Sequence, residues 1–153
     1  MRSNWQKWAY WGALIIIVAG IFSVYLVATA PRRNAESQAI NVAEKTASLT
    51  TPQTFFMFQR DETYYTVGGK TKDGQSVFVI INARSGRTHT VSAGAGLSAT
   101  QAQNRARQIS GQQQVEKTVL GWYRGAATWE VTLRSHSGNY QYVLLNYRTG
   151  KTV

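Results

Sequence analysis

Cysteine is absent from the 153-residue chain, which excludes disulfide frameworks, zinc–thiolate sites, lipoprotein cysteines and cysteine nucleophiles. Acidic residues are scarce, with 7 Asp+Glu against 17 Lys+Arg, and charged residues make up only 16%. The resulting +10 balance excludes an acidic disordered chain, and the length excludes a large multidomain enzyme. One ordinary domain or two very small ones remain. Of the two histidines, His89 reads as a strand surface residue and His136 as a solvated turn residue. Neither has a second histidine or a carboxylate at ligand spacing, so no metal site is expected. The many serines and threonines form no nucleophile elbow or triad. Asp61 and Glu62 are adjacent in a turn and read as two solvated side chains, not as a catalytic pair. Gly94-Ala95-Gly96 lacks the rest of a dinucleotide fingerprint and reads as linker. No catalytic, metal or cofactor-binding residue is assigned, and the chain is not expected to be an enzyme.

What is present begins with an uncharged apolar run from Tyr10 to Ala30, YWGALIIIVAGIFSVYLVATA. At about 1.5 Å rise per residue it spans roughly 30 Å, the thickness of a bilayer hydrocarbon core. Trp5, Trp8, Tyr10 and Trp11 gather at its start, where amphipathic rings prefer the headgroup boundary. Ala28-Thr29-Ala30 has the form of a signal-peptidase site, but the run exceeds a signal h-region and Pro31 suits the first position after a cut poorly. The reading is an uncleaved single span. Basic residues flank both ends, so the expected orientation rests on segment length: residues 1–9 form a cytoplasmic stub, and residues 31–153 lie outside the cell membrane.

Beyond Pro31 one pattern is written twice. Thr63–Thr88 reads TYYTVGGKTKDGQSVFVIINARSGRT, and Ala127–Thr152 reads ATWEVTLRSHSGNYQYVLLNYRTGKT. Val67/Val131, Gly74/Gly138, Val79/Val143, Asn82/Asn146, Arg84/Arg148 and Gly86/Gly150 all match at a constant offset of 64, without a gap. Each copy opens on a helical period. Ala35, Ala39, Val42, Ala43, Thr46 and Ala47 share one face, with Asn34 as the expected N-cap. In the second copy Ala99, Ala102, Ala106 and Ile109 share a face, with Ser98 and Gln101 at capping-box spacing and Gly111 as the stop.

Strands follow. Trp129, Val131 and Leu133 alternate with Thr128, Glu130 and Thr132, the mark of a half-buried antiparallel strand. Asp73-Gly74 and Ser137-Gly138 are hairpin turns, and Asn82–Gly86 and Asn146–Gly150 supply a second turn in each copy. Apolar strands near Thr54–Gln59 and Thr118–Tyr123 complete the units. The fold class is α+β: two tandem units, each a helix packed on an antiparallel sheet of about four strands. Units this small are marginal alone. Phe78 and Ile80, with equivalents Tyr142 and Leu144, make a strand apolar on both faces, so the copies are expected to pack together there. Residues 31–91 and 98–153 are the two domains, and 92–97, SAGAGL, is the linker.

The helix-then-strands order, Asp73-Gly74 and the Asn82-Ala83-Arg84-Ser85-Gly86-Arg87 turn with its partner Asn146–Lys151 resemble PepSY and PepSY-like domains. The double copy behind one N-terminal anchor is similar to the TseB (YpmB)-type cell wall elongation regulators of Gram-positive bacteria. That resemblance implies tandem cystatin-like units outside the membrane. It also implies a regulatory association with a penicillin-binding transpeptidase held in the same membrane. Inhibition or modulation of an extracellular peptidase is the alternative that PepSY domains carry. No catalytic residues come across.

Charge offers a third reading. Without Arg2 and Lys7, residues 31–153 keep 15 basic against 7 acidic residues, which attracts anionic lipid or anionic wall polymer at a bacterial surface. The basic residues are scattered and the anchor argues against nucleic acid as a partner. Contact with lipid falls to residues 10–30. The partner-binding residues are not assigned by the sequence; Trp122, Tyr123, Trp129, Tyr140, Tyr142 and Tyr147 read first as packing aromatics.

Overall fold

The computed structural model describes residues 33–153, together with Val18. The stub 1–9 and, Val18 apart, the expected span 10–30 lie outside the described residues. Among the described residues no helix is long and apolar enough to cross a membrane. Helix α1 occupies 33–47. It is followed by β1 (Leu49–Gln59), β2 (Thr63–Thr71), β3 (Ser76–Asn82) and β4 (Thr88–Ser92), an antiparallel sheet in that order. A short 3-10 turn at Ala93–Ala95 leads to α2 (Ala99–Ser110). Then come β5 (Gln114–Tyr123), β6 (Ala126–Arg134) and β7 (Tyr140–Asn146), a second antiparallel sheet. Both sheets fall within one compact unit, Gln38–Val153. Pro52 is tolerated in β1 because that strand is the sheet edge and Pro52 sits at a register shift.

The repeat persists to single hydrogen bonds. Val67 pairs with Val79 and, 64 residues on, Val131 pairs with Val143. The Asn82 side-chain oxygen accepts from the Arg84 and Ser85 amides, and that of Asn146 accepts from the Arg148 and Thr149 amides. The Ala83 amide donates to the Thr63 carbonyl, and the Tyr147 amide to the Ala127 carbonyl, both at 2.8–2.9 Å. Gly86 and Gly150 close these turns at φ 68 and 66, a left-handed conformation that needs glycine.

Three local expectations need correction. The second sheet has three strands, not about four. Where the first copy has β4, the described residues of the second supply a single bridge, Leu145 to Thr152. Asn34 does not cap α1, because Arg33 before it is already helical and a cap must stand outside the helical turn. Ile109 sits in the last turn of α2 and is 44% exposed, while Ala106 and Ala102, about one and two turns earlier, are buried. Ser98 and Gln101 do form the capping box, and Gly111 closes the helix with its amide on the Arg107 carbonyl.

The first sheet is buried on both faces. One face packs Val67, Val79 and Ile81 against Ala39 and Ala43 of α1. The small alanines let the helix lie close. The other face presents Phe58, Tyr64 and Ile80, with Phe56 and Phe78, to a joint core with Leu120, Trp129, Val131 and Leu145 of the second copy. Trp129 receives Phe56 and Phe78 edge-on at 5.7 and 6.1 Å, a favoured aromatic geometry. Gly121 of β5 lies so close over the Phe58 ring that any Cβ there would collide with it. The Thr66 hydroxyl donates to the Leu120 carbonyl at 2.7 Å. The copies therefore support each other through the Phe78 and Ile80 surface.

The central strand β6 is more deeply covered than its alternation suggests. Thr128, Glu130 and Thr132 are buried as well as Trp129, Val131 and Leu133. Val119 and Leu144 flank Glu130 on that face, and short threonines between longer neighbours lose their exposure.

The Gly121–Phe58 contact gives a stability test in the full chain, read by urea unfolding in neutral detergent. Gly121→Val, which overpacks the junction, is expected to cost about 1–3 kcal/mol. Phe58→Ala, which empties it, is expected to cost about 3–5 kcal/mol. Unchanged midpoints in both would show that the copies do not depend on this contact.

Candidate interaction surfaces

The linker 92–97 is not a free tether. The Tyr147 hydroxyl donates to the Ser92 carbonyl at 2.7 Å, and the Trp129 indole N–H to the Leu97 carbonyl at 2.8 Å. The Leu97 amide donates to the Tyr147 carbonyl. Gly96 lies against Tyr147 with no room for a side chain. Because β6 and the last turn are part of the second core, these bonds fix the linker to it. The pinned linker, the outer face of α2 and the Asn146–Lys151 turn then border an open cleft of about 730 Å³.

That cleft is polar and cationic. Gln101, Arg105 and Gln108 line it at helical spacing from α2, and Arg148 and Lys151 line it from the turn. No carboxylate is among its lining residues. Among the described residues the ion pairs are Arg60–Glu130 and Arg134–Glu116, so the three cleft cations are unpaired.

A second surface is the outer face of the second sheet. Tyr140 and Tyr142 are 56% and 54% exposed there. The Arg134 guanidinium lies 5.7 Å from the Tyr140 ring centre, and that of Arg60 5.2 Å from Tyr142. Arg60 comes from the first copy and also donates through Nε to the buried Glu130 carboxylate. The repeat equivalents of Tyr142 and Leu144 are Phe78 and Ile80, which the second copy covers.

Where the two β-hairpin tips meet, Glu62 accepts from the Tyr64 hydroxyl at 2.6 Å and from the Asn82 side-chain amide at 2.9 Å. Asp61 and Glu62 are both exposed, as expected, and Glu62 in addition ties its turn to β3. Burial, reinforced by the Glu62 carboxylate, pushes the Tyr64 phenol above its ordinary value of 10.0. Burial also raises Tyr147, against a smaller opposing pull from Arg148.

His136 is exposed in its turn. His89 is not simply a surface residue: its ring stacks on Trp122 at 3.7 Å, nearly parallel. Among the described residues no cluster of His, Asp and Glu could hold a metal ion. Of the six aromatics read as packing, Trp129 and Tyr147 are core, and Trp122 and Tyr123 are half-buried against it. Tyr140 and Tyr142 are the exceptions. Sequence reading missed Arg105 and its neighbours because attention to the apolar stripe of α2 leaves the opposite face unread. Their meeting with Arg148 and Lys151 across the fold has no local signal.

Residues 38–82 match the cell wall elongation regulator TseB-like domain. The matched segment comprises the greater part of α1 and strands β1 to β3, the portion that the second copy covers on one face. The YpmB protein from Bacillus subtilis superposes with a TM-score of 0.68 at 24% identity, over 76% of this chain and 92% of that one. The likeness establishes a shared fold that extends past the TseB-like segment. No curated protein matches the chain. The matched domain is described as that of a cell wall elongation regulator.

The two raised tyrosines generate a pH test. Below about pH 10 the phenols are neutral in both folded and unfolded chains, and their contribution to stability is intact. As pH rises above that value the unfolded phenols ionise first, so stability falls until the raised folded values are passed. Urea unfolding across this range should show the fall, and a Tyr64→Phe/Tyr147→Phe variant should flatten it. An equally steep alkaline loss in that variant would place the titrating groups elsewhere.

Proposed function

We propose that the chain is a non-enzymatic, single-pass membrane protein that regulates cell wall elongation by binding a penicillin-binding transpeptidase in the same bilayer. The observation that carries this reading is the TseB-like match over residues 38–82. The uncharged run 10–30 supplies the anchor, residues 1–9 the cytoplasmic stub, and residues 31–91 and 98–153 the two extracellular domains joined by 92–97. Tethering does much of the work. Two proteins confined to one membrane meet at a high effective concentration, so a modest interface suffices. The exposed Tyr140 and Tyr142 are suited to that interface, being large, rigid and amphipathic.

Crosslinking in cells, followed by identification of the captured protein, tests the partner. The wild-type chain should capture a penicillin-binding protein, and Tyr140→Ala/Tyr142→Ala should reduce capture by about tenfold or more while leaving thermal unfolding unchanged. Capture of a peptidase without any wall synthase would favour the PepSY-type alternative. Placement is tested separately with cells stripped of their wall: added protease should digest residues 31–153, and their protection would reverse the orientation.

A further inference from the structure

We propose that the cleft between the pinned linker, α2 and the Asn146–Lys151 turn binds a flexible polyanion whose charges recur along a hydroxyl-bearing backbone, as in phosphodiester-linked polyols. This site is distinct from the tyrosine face and does not depend on the identity of any protein partner.

Charge is the first argument. Arg105, Arg148 and Lys151 all line the cleft, are exposed, and lack an ion-pair partner among the described residues. Three unpaired cations facing one groove with no carboxylate in its lining favour a ligand that carries several negative charges. Shape is the second. Gln101, Arg105 and Gln108 succeed one another along α2, so this wall of the groove runs roughly 10 Å. A wall of that length meets successive groups of an extended chain better than one compact ion.

The polar lining completes the match. The Gln101 NH2, whose carbonyl partner is engaged by the Ser98 amide, donates, and the Gln108 amide and Thr149 hydroxyl add further hydrogen-bonding groups suited to polyol hydroxyls. No aromatic ring lines the cleft, so nucleic-acid bases would find nothing to stack on. Leu97 is the one large apolar side chain in the lining, too little to receive an acyl chain. The walls are held by backbone hydrogen bonds and a capped helix, so the backbone that carries the cations is already ordered.

The test uses the full chain in neutral phosphatidylcholine nanodiscs, with soluble poly(glycerol phosphate) as the probe and affinity read by calorimetry. Arg105→Gln/Arg148→Gln/Lys151→Gln should weaken binding by about tenfold. Lys72→Gln/Arg84→Gln/Arg87→Gln removes the same charge from outside the cleft and should change it by no more than about twofold. Thermal unfolding of both variants should match wild type, since all six side chains are exposed. Equal losses in the two variants would overturn the site in favour of diffuse surface charge. Inorganic phosphate bound as tightly as the polymer would overturn the extended ligand. Binding to phosphatidylglycerol vesicles with none to the polymer would overturn it in favour of a lipid surface.

Discussion

The fold depends on one apolar face that its own sheet cannot cover. Phe56, Phe58, Phe78 and Ile80 project from the side of the first sheet opposite α1, and the second copy covers them. A sheet of four short strands with one open aromatic face would be unstable in water, since its buried area could not offset the entropy of ordering the chain. Gly121 makes the cover possible, because the bare backbone of β5 can settle directly onto the Phe58 ring. Trp129 then fills the space between Phe56 and Phe78. The segment that matches the TseB-like domain is therefore only part of a cooperative object.

From that junction the surfaces follow. With β5 fixed on the first sheet, the linker must run past Tyr147 and Trp129, and their polar atoms tie it down. The rigid linker becomes one wall of the cationic cleft, and α2 and the last turn become the others. On the far side of the second sheet, nothing among the described residues plays the part that the second copy plays for the first. Glu130 is held there by Arg60 across the junction, and Tyr140 and Tyr142 remain in contact with solvent.

What could be read in advance was local. Asn82 and Gly86, repeated as Asn146 and Gly150, announce their turns because the side-chain acceptor and the left-handed glycine act within five residues. Ser98, Gln101 and Gly111 announce the ends of α2 for the same reason. The duplication showed which strands would correspond and that the copies would lean on each other. It was silent on which face of each sheet would be covered, because matched residues can have unmatched surroundings. Tyr142 and Phe78 share a repeat position, yet one is exposed and the other packs on Trp129. The cleft was illegible too, since Arg105 and Arg148 are far apart in sequence and meet only through tertiary packing.

The junction also uses a single repeat position twice. Thr66 and Glu130 are equivalents at the 64-residue offset, and each reaches across to the other copy, Thr66 to the Leu120 carbonyl and Glu130 to Arg60. The two halves thus grip each other at corresponding points with different chemistry, a neutral hydroxyl inward and a carboxylate outward. Ancestral symmetry has been converted into polarity: the pair has a front and a back, and the halves have lost their interchangeability. A substitution on one side of this seam therefore has to be matched by what the other half presents there, a demand that the outer skins do not share.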